Sequence, residues 1–167
     1  TTDGGKSFAF QGWIVAPAGS SAQYPKVKLF ADESQNPYAN ECRAVMSQTE
    51  KLRDGTIMSI MRRKFVTKDK EELHWIDAYS SKDGGKTWTF TSKIADTGAE
   101  NGNPPAFTTT KDGRICVVYG ERDQGTIRVI YSADQGKTWG EPQILMDGFW
   151  SEDMQLNDLG YPRVVRR

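Results

Sequence analysis

Ser81-Lys82-Asp83-Gly84-Gly85-Lys86-Thr87-Trp88 is repeated as Ser132-Ala133-Asp134-Gln135-Gly136-Lys137-Thr138-Trp139, with a weaker copy at Thr1-Thr2-Asp3-Gly4-Gly5-Lys6-Ser7-Phe8. The shared pattern is Ser/Thr-x-Asp-x-Gly-Lys-Ser/Thr-Trp/Phe. Asp134 follows Asp83 by 51 residues, and Asp83 follows Asp3 by 80. Self-similarity at about 40–50 residues marks a repeat architecture. Asp and Gly between two runs of alternating apolar residues predict a hairpin. Glycine supplies the positive φ of a tight turn. The carboxylate accepts hydrogen bonds from loop amides, and the closing Trp or Phe buries a large ring beside the hairpin.

This pattern resembles the Asp-box, or BNR repeat, of the sialidase-like β-propellers. The resemblance covers nearly the whole chain. It implies an all-β fold, a β-propeller of four-stranded antiparallel blades, six-bladed when complete. It also implies that Asp3, Asp83, Trp88, Asp134 and Trp139 hold turns rather than perform chemistry. A calcium loop is not expected, because the carboxylate spacing of an EF-hand is absent.

Composition agrees with a turn-rich β protein: 16 Gly, 7 Pro and 5 Trp in 167 residues. Formal net charge is zero, so no electrostatic argument favours nucleic acid or an anionic membrane. No run of 18 apolar residues exists, as a membrane-spanning helix requires. One His and two dispersed Cys make no zinc site. Neither a glycine-rich phosphate loop nor a nucleophile elbow is present, and no cofactor is expected. Cys42 and Cys116 make no disulfide framework. Cys116, inside an apolar strand pattern, is expected to be a small buried residue.

Between the octets the chain divides into two comparable units. The first reads as strands at Arg43–Ser47, Gly55–Met61, Trp75–Ser80 and Phe90–Ile94. The second reads as strands at Pro105–Thr109, Arg114–Tyr119, Thr126–Tyr131 and Gln143–Leu145. Asp54-Gly55 and Asp112-Gly113 are turn signals at equivalent points. Each unit is a four-stranded meander, expected to be a propeller blade. The expected boundaries are 41–96 and 103–147 for the two blades. Residues 1–16 end an earlier blade, with an outer strand at Phe10–Ala16. Residues 17–40 form a loop or insertion, or a degenerate blade, and 158–167 start a new inner strand. Closed propellers need about four to eight blades, so the chain is expected to be a segment whose partners include the remaining blades.

In an up-and-down blade the turns alternate between two faces. The octets join the third and fourth strands and mark one face. By resemblance to sialidases, the site lies around the axis on the opposite face. Inner-strand starts carry Glu41, Arg43, Asn103, Tyr161 and Arg163 there. The turns between second and third strands carry Arg62, Arg63, His74 and Asp77 in one unit. The other unit has Glu121, Arg122, Asp123 and Arg128. Arginine captures carboxylates bidentately, and sialidases use three arginines around the sialic acid carboxylate. The resemblance points to Arg163 in Gly-Tyr-Pro-Arg as one, with Arg43 or Arg122 as another. Asp77 and Arg128 complete the candidate sugar-binding set. Arg62 and Arg63 are adjacent in a strand, so at most one faces the axis. Glu100 or Glu121 is a candidate to activate a nucleophile such as Tyr161. The single histidine, His74, is a structural residue or a proton carrier.

The resemblance implies a glycoside hydrolase acting on terminal, acidic sugars of glycans, secreted or periplasmic. Alternatives are a non-catalytic carbohydrate- or protein-binding propeller and a propeller polysaccharide lyase. A Tyr nucleophile with a Glu activator is the known exception to the two-carboxylate scheme. The first-blade motif that would carry an opening arginine and acid is missing from the chain.

Overall fold

In the computed structural model the described residues are 3–15, 43–66, 72–98, 103–152, 156–157 and 159–166. They form two four-stranded antiparallel sheets. The first is β1 (Arg43–Lys51), β2 (Ile57–Val66), β3 (Glu72–Ser81) and β4 (Thr89–Asp96), hydrogen-bonded in chain order. The second, also in chain order, is β5 (Ala106–Thr109), β6 (Ile115–Glu121), β7 (Thr126–Ser132) and β8 (Gln143–Met146). A two-residue pair, β9 (Trp150–Ser151) with β10 (Leu156–Asn157), follows. The helical content among the described residues is one 3₁₀ turn at Arg122–Gln124.

Alternation decides which side each residue faces. Met58 and Ile60 of β2 and Ile76 and Ala78 of β3 point one way. They pack with Ile94 of β4 against Phe107, Ile115, Val117, Tyr119 and Ile130 of the second sheet. Burying each such side chain stabilises by roughly 1.5–3 kcal/mol. The two sheets therefore stack face to face, as neighbouring blades do. The far face of the second sheet carries Cys116, Val118 and Val129, against which Val164 packs. Cys116 is a buried free thiol; Cys42 lies outside the described residues.

The first turn of each blade is built alike. Thr56 N donates to Asp54 Oδ1 at 3.0 Å, and Arg114 N donates to Asp112 Oδ1 at 3.3 Å. The three octets also share one geometry. Lys86 N and Thr87 N donate to Asp83 Oδ1 at 3.0 and 2.9 Å, and Thr87 Oγ1 donates to Oδ2 at 2.5 Å. Lys137, Thr138 and Asp134 reproduce these bonds at 3.0, 2.9 and 2.6 Å. Lys6, Ser7 and Asp3 do so at 3.0, 3.1 and 2.6 Å. The concentrated donors hold the Asp83 and Asp134 carboxyls far below the usual range, the threonine hydroxyl contributing most in each.

Three contacts stitch the blades together. Trp139 Nε1 donates to Ser92 Oγ at 2.9 Å, and Ser92 Oγ donates to Gly136 O at 2.5 Å. Arg53 Nη2 donates to the carbonyls of Thr110 and Lys111 at 3.0 and 2.9 Å. The Gln48 amide pairs with the backbone of Phe107: Nε2 donates to its carbonyl at 2.8 Å, and its N–H donates to Oε1 at 2.9 Å. This joins the inner strands directly.

Two expected strands do not form among the described residues. Phe10–Val15 is not a strand, and Ala16 lies outside the described residues. Gly160–Val165 has no regular structure, Gly160 taking a left-handed φ of +61, and it pairs with no strand among the described residues. A ladder needs a partner strand to satisfy its backbone groups, and neither segment has one among the described residues.

Candidate functional site

The end of the seam opposite the octets gathers most of the polar side chains that face between the two sheets. Arg62 and Lys64 share the parity of Ile60 in β2, so they continue the interface side of that strand. His74 opposes Lys64 and Ile76 opposes Arg62 across the β2–β3 ladder. Arg62 and His74 are 5% and 2% exposed. Glu72 bridges Lys64 Nζ and, at 3.4 Å, His74 Nε2. Burial, reinforced by the positive Arg62, pushes the His74 pKa down, so the ring is neutral at neutral pH. The Lys64 contact holds Glu72 below its ordinary range.

The facing wall comes from the second blade. Arg122 opens the 3₁₀ turn, and its Nε donates to Oδ1 of the buried Asn103 at 2.9 Å. A Cβ at Gly98 would meet the Asp123 carboxylate at 2.2 Å, so the crossover after β4 runs against this turn. Leu159 covers Gly120, where a Cβ would lie 2.8 Å from Leu159 Cδ1. Tyr161 follows two residues on and is exposed. Arg62 is the hub of the arrangement. Its pKa is lowered by burial and then by the like charge of Arg122, while Glu72 and Tyr161 act in the opposite sense. A buried guanidinium and a half-buried one thus lie within electrostatic reach of one another, a setting for anion capture.

The expected residues divide. Arg122 and the exposed Tyr161 lie within electrostatic reach of Arg62, and Glu121 and Arg128 share the parity of the interface residues Tyr119 and Ile130. Glu121 and Arg128 are drawn to one another: Arg128 Nε lies 2.5 Å from Glu121 Oε2, an ion pair by distance whose geometry is not that of a straight hydrogen bond. That pairing satisfies both charges within the blade, where a nucleophile activator and a sugar ligand were expected. Asp77 is 0% exposed on the other side of the first sheet. It lies 3.3 Å from Arg63 Nη1 and 3.4 Å from the Tyr79 hydroxyl, with Arg63 Nη1 also donating to Tyr79 at 2.5 Å. Burial pushes its pKa up to about 6, against the opposing pull of Arg63. Asp77 is therefore an interior partner of Arg63 and does not line the seam. Arg163 is exposed. Glu100 and the side chain of Arg43 lie outside the described residues. Arg62, His74 and Asn103 stand on the expected face but outside the expected binding set. Parity with Ile60 was the available signal for Arg62; Asn103 offered none.

No group of three or more His, Cys, Asp or Glu among the described residues is arranged to hold a metal ion. No described helix is long and apolar enough to cross a membrane.

Two stacked up-and-down sheets with hairpins at one end and a polar seam at the other are neighbouring blades of a β-propeller. Residues 20–167 match the BNR repeat-like domain, and the chain belongs to that family. Solved structures to which the chain is similar include an α-L-arabinanase from Penicillium chrysogenum complexed with arabinobiose. Identity there is 22% over 59% of this chain and 31% of that one, with a TM-score of 0.47. A mutant α-L-arabinofuranosidase from Fusarium graminearum, in complex with an iminosugar inhibitor, gives 22% over 62% and 32%, with a TM-score of 0.49. A protein of unknown function from Dyadobacter fermentans gives 17% over 60% and 28%, with a TM-score of 0.49. The alignments span about a third of the length of these proteins. Among curated proteins none matches.

Proposed function

We propose that this chain forms two blades of a glycan-processing propeller whose site takes a terminal sugar carrying a carboxylate. The observation that carries the reading is the buried Arg62, 5% exposed, within electrostatic reach of Arg122 of the other blade, on the face away from the octets. Two cations within reach of one another favour an added anion, more so where one of them is buried. A planar carboxylate answers two guanidinium groups, and the Tyr161 hydroxyl and neutral His74 add hydrogen-bonding groups suited to a sugar. Arg43 and Arg163 are the candidates for further contacts from the inner-strand starts. The reaction is hydrolysis of a terminal glycosidic bond, and the protein works outside the cytoplasm, where glycan ends are displayed.

Commitment of Glu121 to Arg128 favours a second reading, a sugar-binding propeller without catalysis. One experiment separates the two. The full protein is given an N-acetylneuraminic acid glycoside, its methyl ester and an α-L-arabinofuranoside, with binding followed by calorimetry and sugar release by chromatography. Arg62→Ala and Arg122→Ala should each weaken the acidic ligand about 10-fold or more, as loss of a charge-assisted bond requires. The neutral ligands should be unaffected. Equal losses on all three, or none, refute the anion site. Tight binding with no sugar release makes the binding module correct.

A further inference from the structure

Asn103 stands just before β5, 3% exposed, and its Oδ1 accepts the Arg122 Nε–H at 2.9 Å. Arginine has donors only, so the carboxamide atom that faces it must be the oxygen. This fixes the amide orientation. Nδ2 then points away from Arg122, and it is buried with no hydrogen-bond partner among the described residues. The side chain has little room to turn. A Cβ at Gly120 would come within 3.4 Å of Asn103 Cβ, so the β6 backbone packs directly against it.

A buried amide with half of its hydrogen-bonding capacity unmet works against folding. An apolar residue of similar volume would fill the same space without that cost. The useful contribution of Asn103 is the bond it does make, which fixes the plane of the Arg122 guanidinium. Bidentate capture of a carboxylate depends on that plane, and a flexible arginine must lose rotamer freedom on binding.

We propose that Asn103 is a positioning residue: it orients Arg122 toward the bound carboxylate, and the protein keeps it at the expense of stability. The proposal rests on the acidic-sugar reading above. Its test compares Asn103→Leu and Asn103→Ala in the full protein, alone and with Arg122→Ala. N-acetylneuraminic acid and its methyl ester are the probes, and thermal melting is followed alongside. The Leu variant should melt at or above the wild-type temperature and bind the acid about 10-fold more weakly. The ester should bind unchanged. In the Arg122→Ala background either Asn103 substitution should change acid binding less than about 2-fold, because residues acting through one another are non-additive. Should the Leu variant melt low from overpacking, the Ala variant carries the same comparison. Equal losses for acid and ester, the same loss in both backgrounds, or collapse of both variants makes Asn103 a fold residue and overturns the proposal. If Arg122→Ala leaves acid binding intact while the protein stays folded, the acidic-sugar reading itself fails, and this proposal with it.

Discussion

Trp139 should be worth more to the joint between the blades than its ring area suggests, and a double-mutant cycle with Ser92 measures the excess. The indole Nε1 donates to Ser92 Oγ at 2.9 Å, and that hydroxyl in turn donates to Gly136 O at 2.5 Å. Trp139 and Gly136 belong to the octet of the second blade, and Ser92 to β4 of the first. Trp139→Phe keeps most of the ring and removes one neutral bond, so it should destabilise by about 1 kcal/mol. Ser92→Ala removes both bonds and should cost about 2 kcal/mol, since two half-buried groups lose partners. The double variant should cost about 2 kcal/mol as well, because the indole bond is already gone. The coupling is then about 1 kcal/mol. Urea unfolding of the full protein at unchanged m gives the three differences from the shift in midpoint. A coupling below about 0.3 kcal/mol would show that the hydroxyl chain does not join the blades.

Acid should dissolve the octet turns selectively. The folded pKa values of Asp83 and Asp134 are depressed, so these groups contribute stability above their unfolded value of about 3.9, lost as pH falls through the folded value. Melting temperature against pH should therefore fall less steeply at low pH for the Asp83→Asn, Asp134→Asn double variant, and an unchanged acid limb would contradict the geometry. Asp77 behaves oppositely. Its folded pKa is raised to about 6, so its contribution is full below about 3.9 and is lost as pH rises through about 6. Asp77→Asn should flatten the stability profile between about pH 4 and 6. A profile parallel to wild type would show that the carboxyl is already ionised at the bottom of that window.

The blades were legible in the sequence because several local signals agree. Ile57 to Met61 is a largely apolar run, Asp54-Gly55 and Asp112-Gly113 turn, and the octets close each third strand. Each signal fixes its own few residues, and together they leave one antiparallel meander. The strands run a few residues longer than the apolar runs, as in β2 out to Val66, because charged residues such as Arg62 and Arg63 also pair in the ladder. Gln135 was a weaker signal. It adopts φ +62 where Gly84 has φ +77 in the first copy, so the turn imposes a left-handed conformation on a residue that does not favour it. The two strands read at the chain's ends failed for one reason. A strand exists only with a partner, and a run of residues does not name its partner.

The site was harder to read because it belongs to a seam, and no stretch of sequence contains a seam. Alternation required that only one of Arg62 and Arg63 face it, but alternation alone does not choose. The choice was made by register. Ile60 faces the second blade, so Arg62 does too, and Arg63 turns to Asp77 and Tyr79. The same register removed Asp77 from the binding set. In the second blade the repeat position of Asp77 is held by Arg128, whose neighbour Glu121 answers its charge at 2.5 Å. A repeat therefore conserves where a side chain points, while the chemistry at that point is set by whichever charge stands across the ladder. Arg62 and Arg122 come from different blades and lie within electrostatic reach of one another across the seam, with Glu72 acting on Arg62 from its own sheet, and that juxtaposition of two cations is the physical reason to test an anionic ligand there.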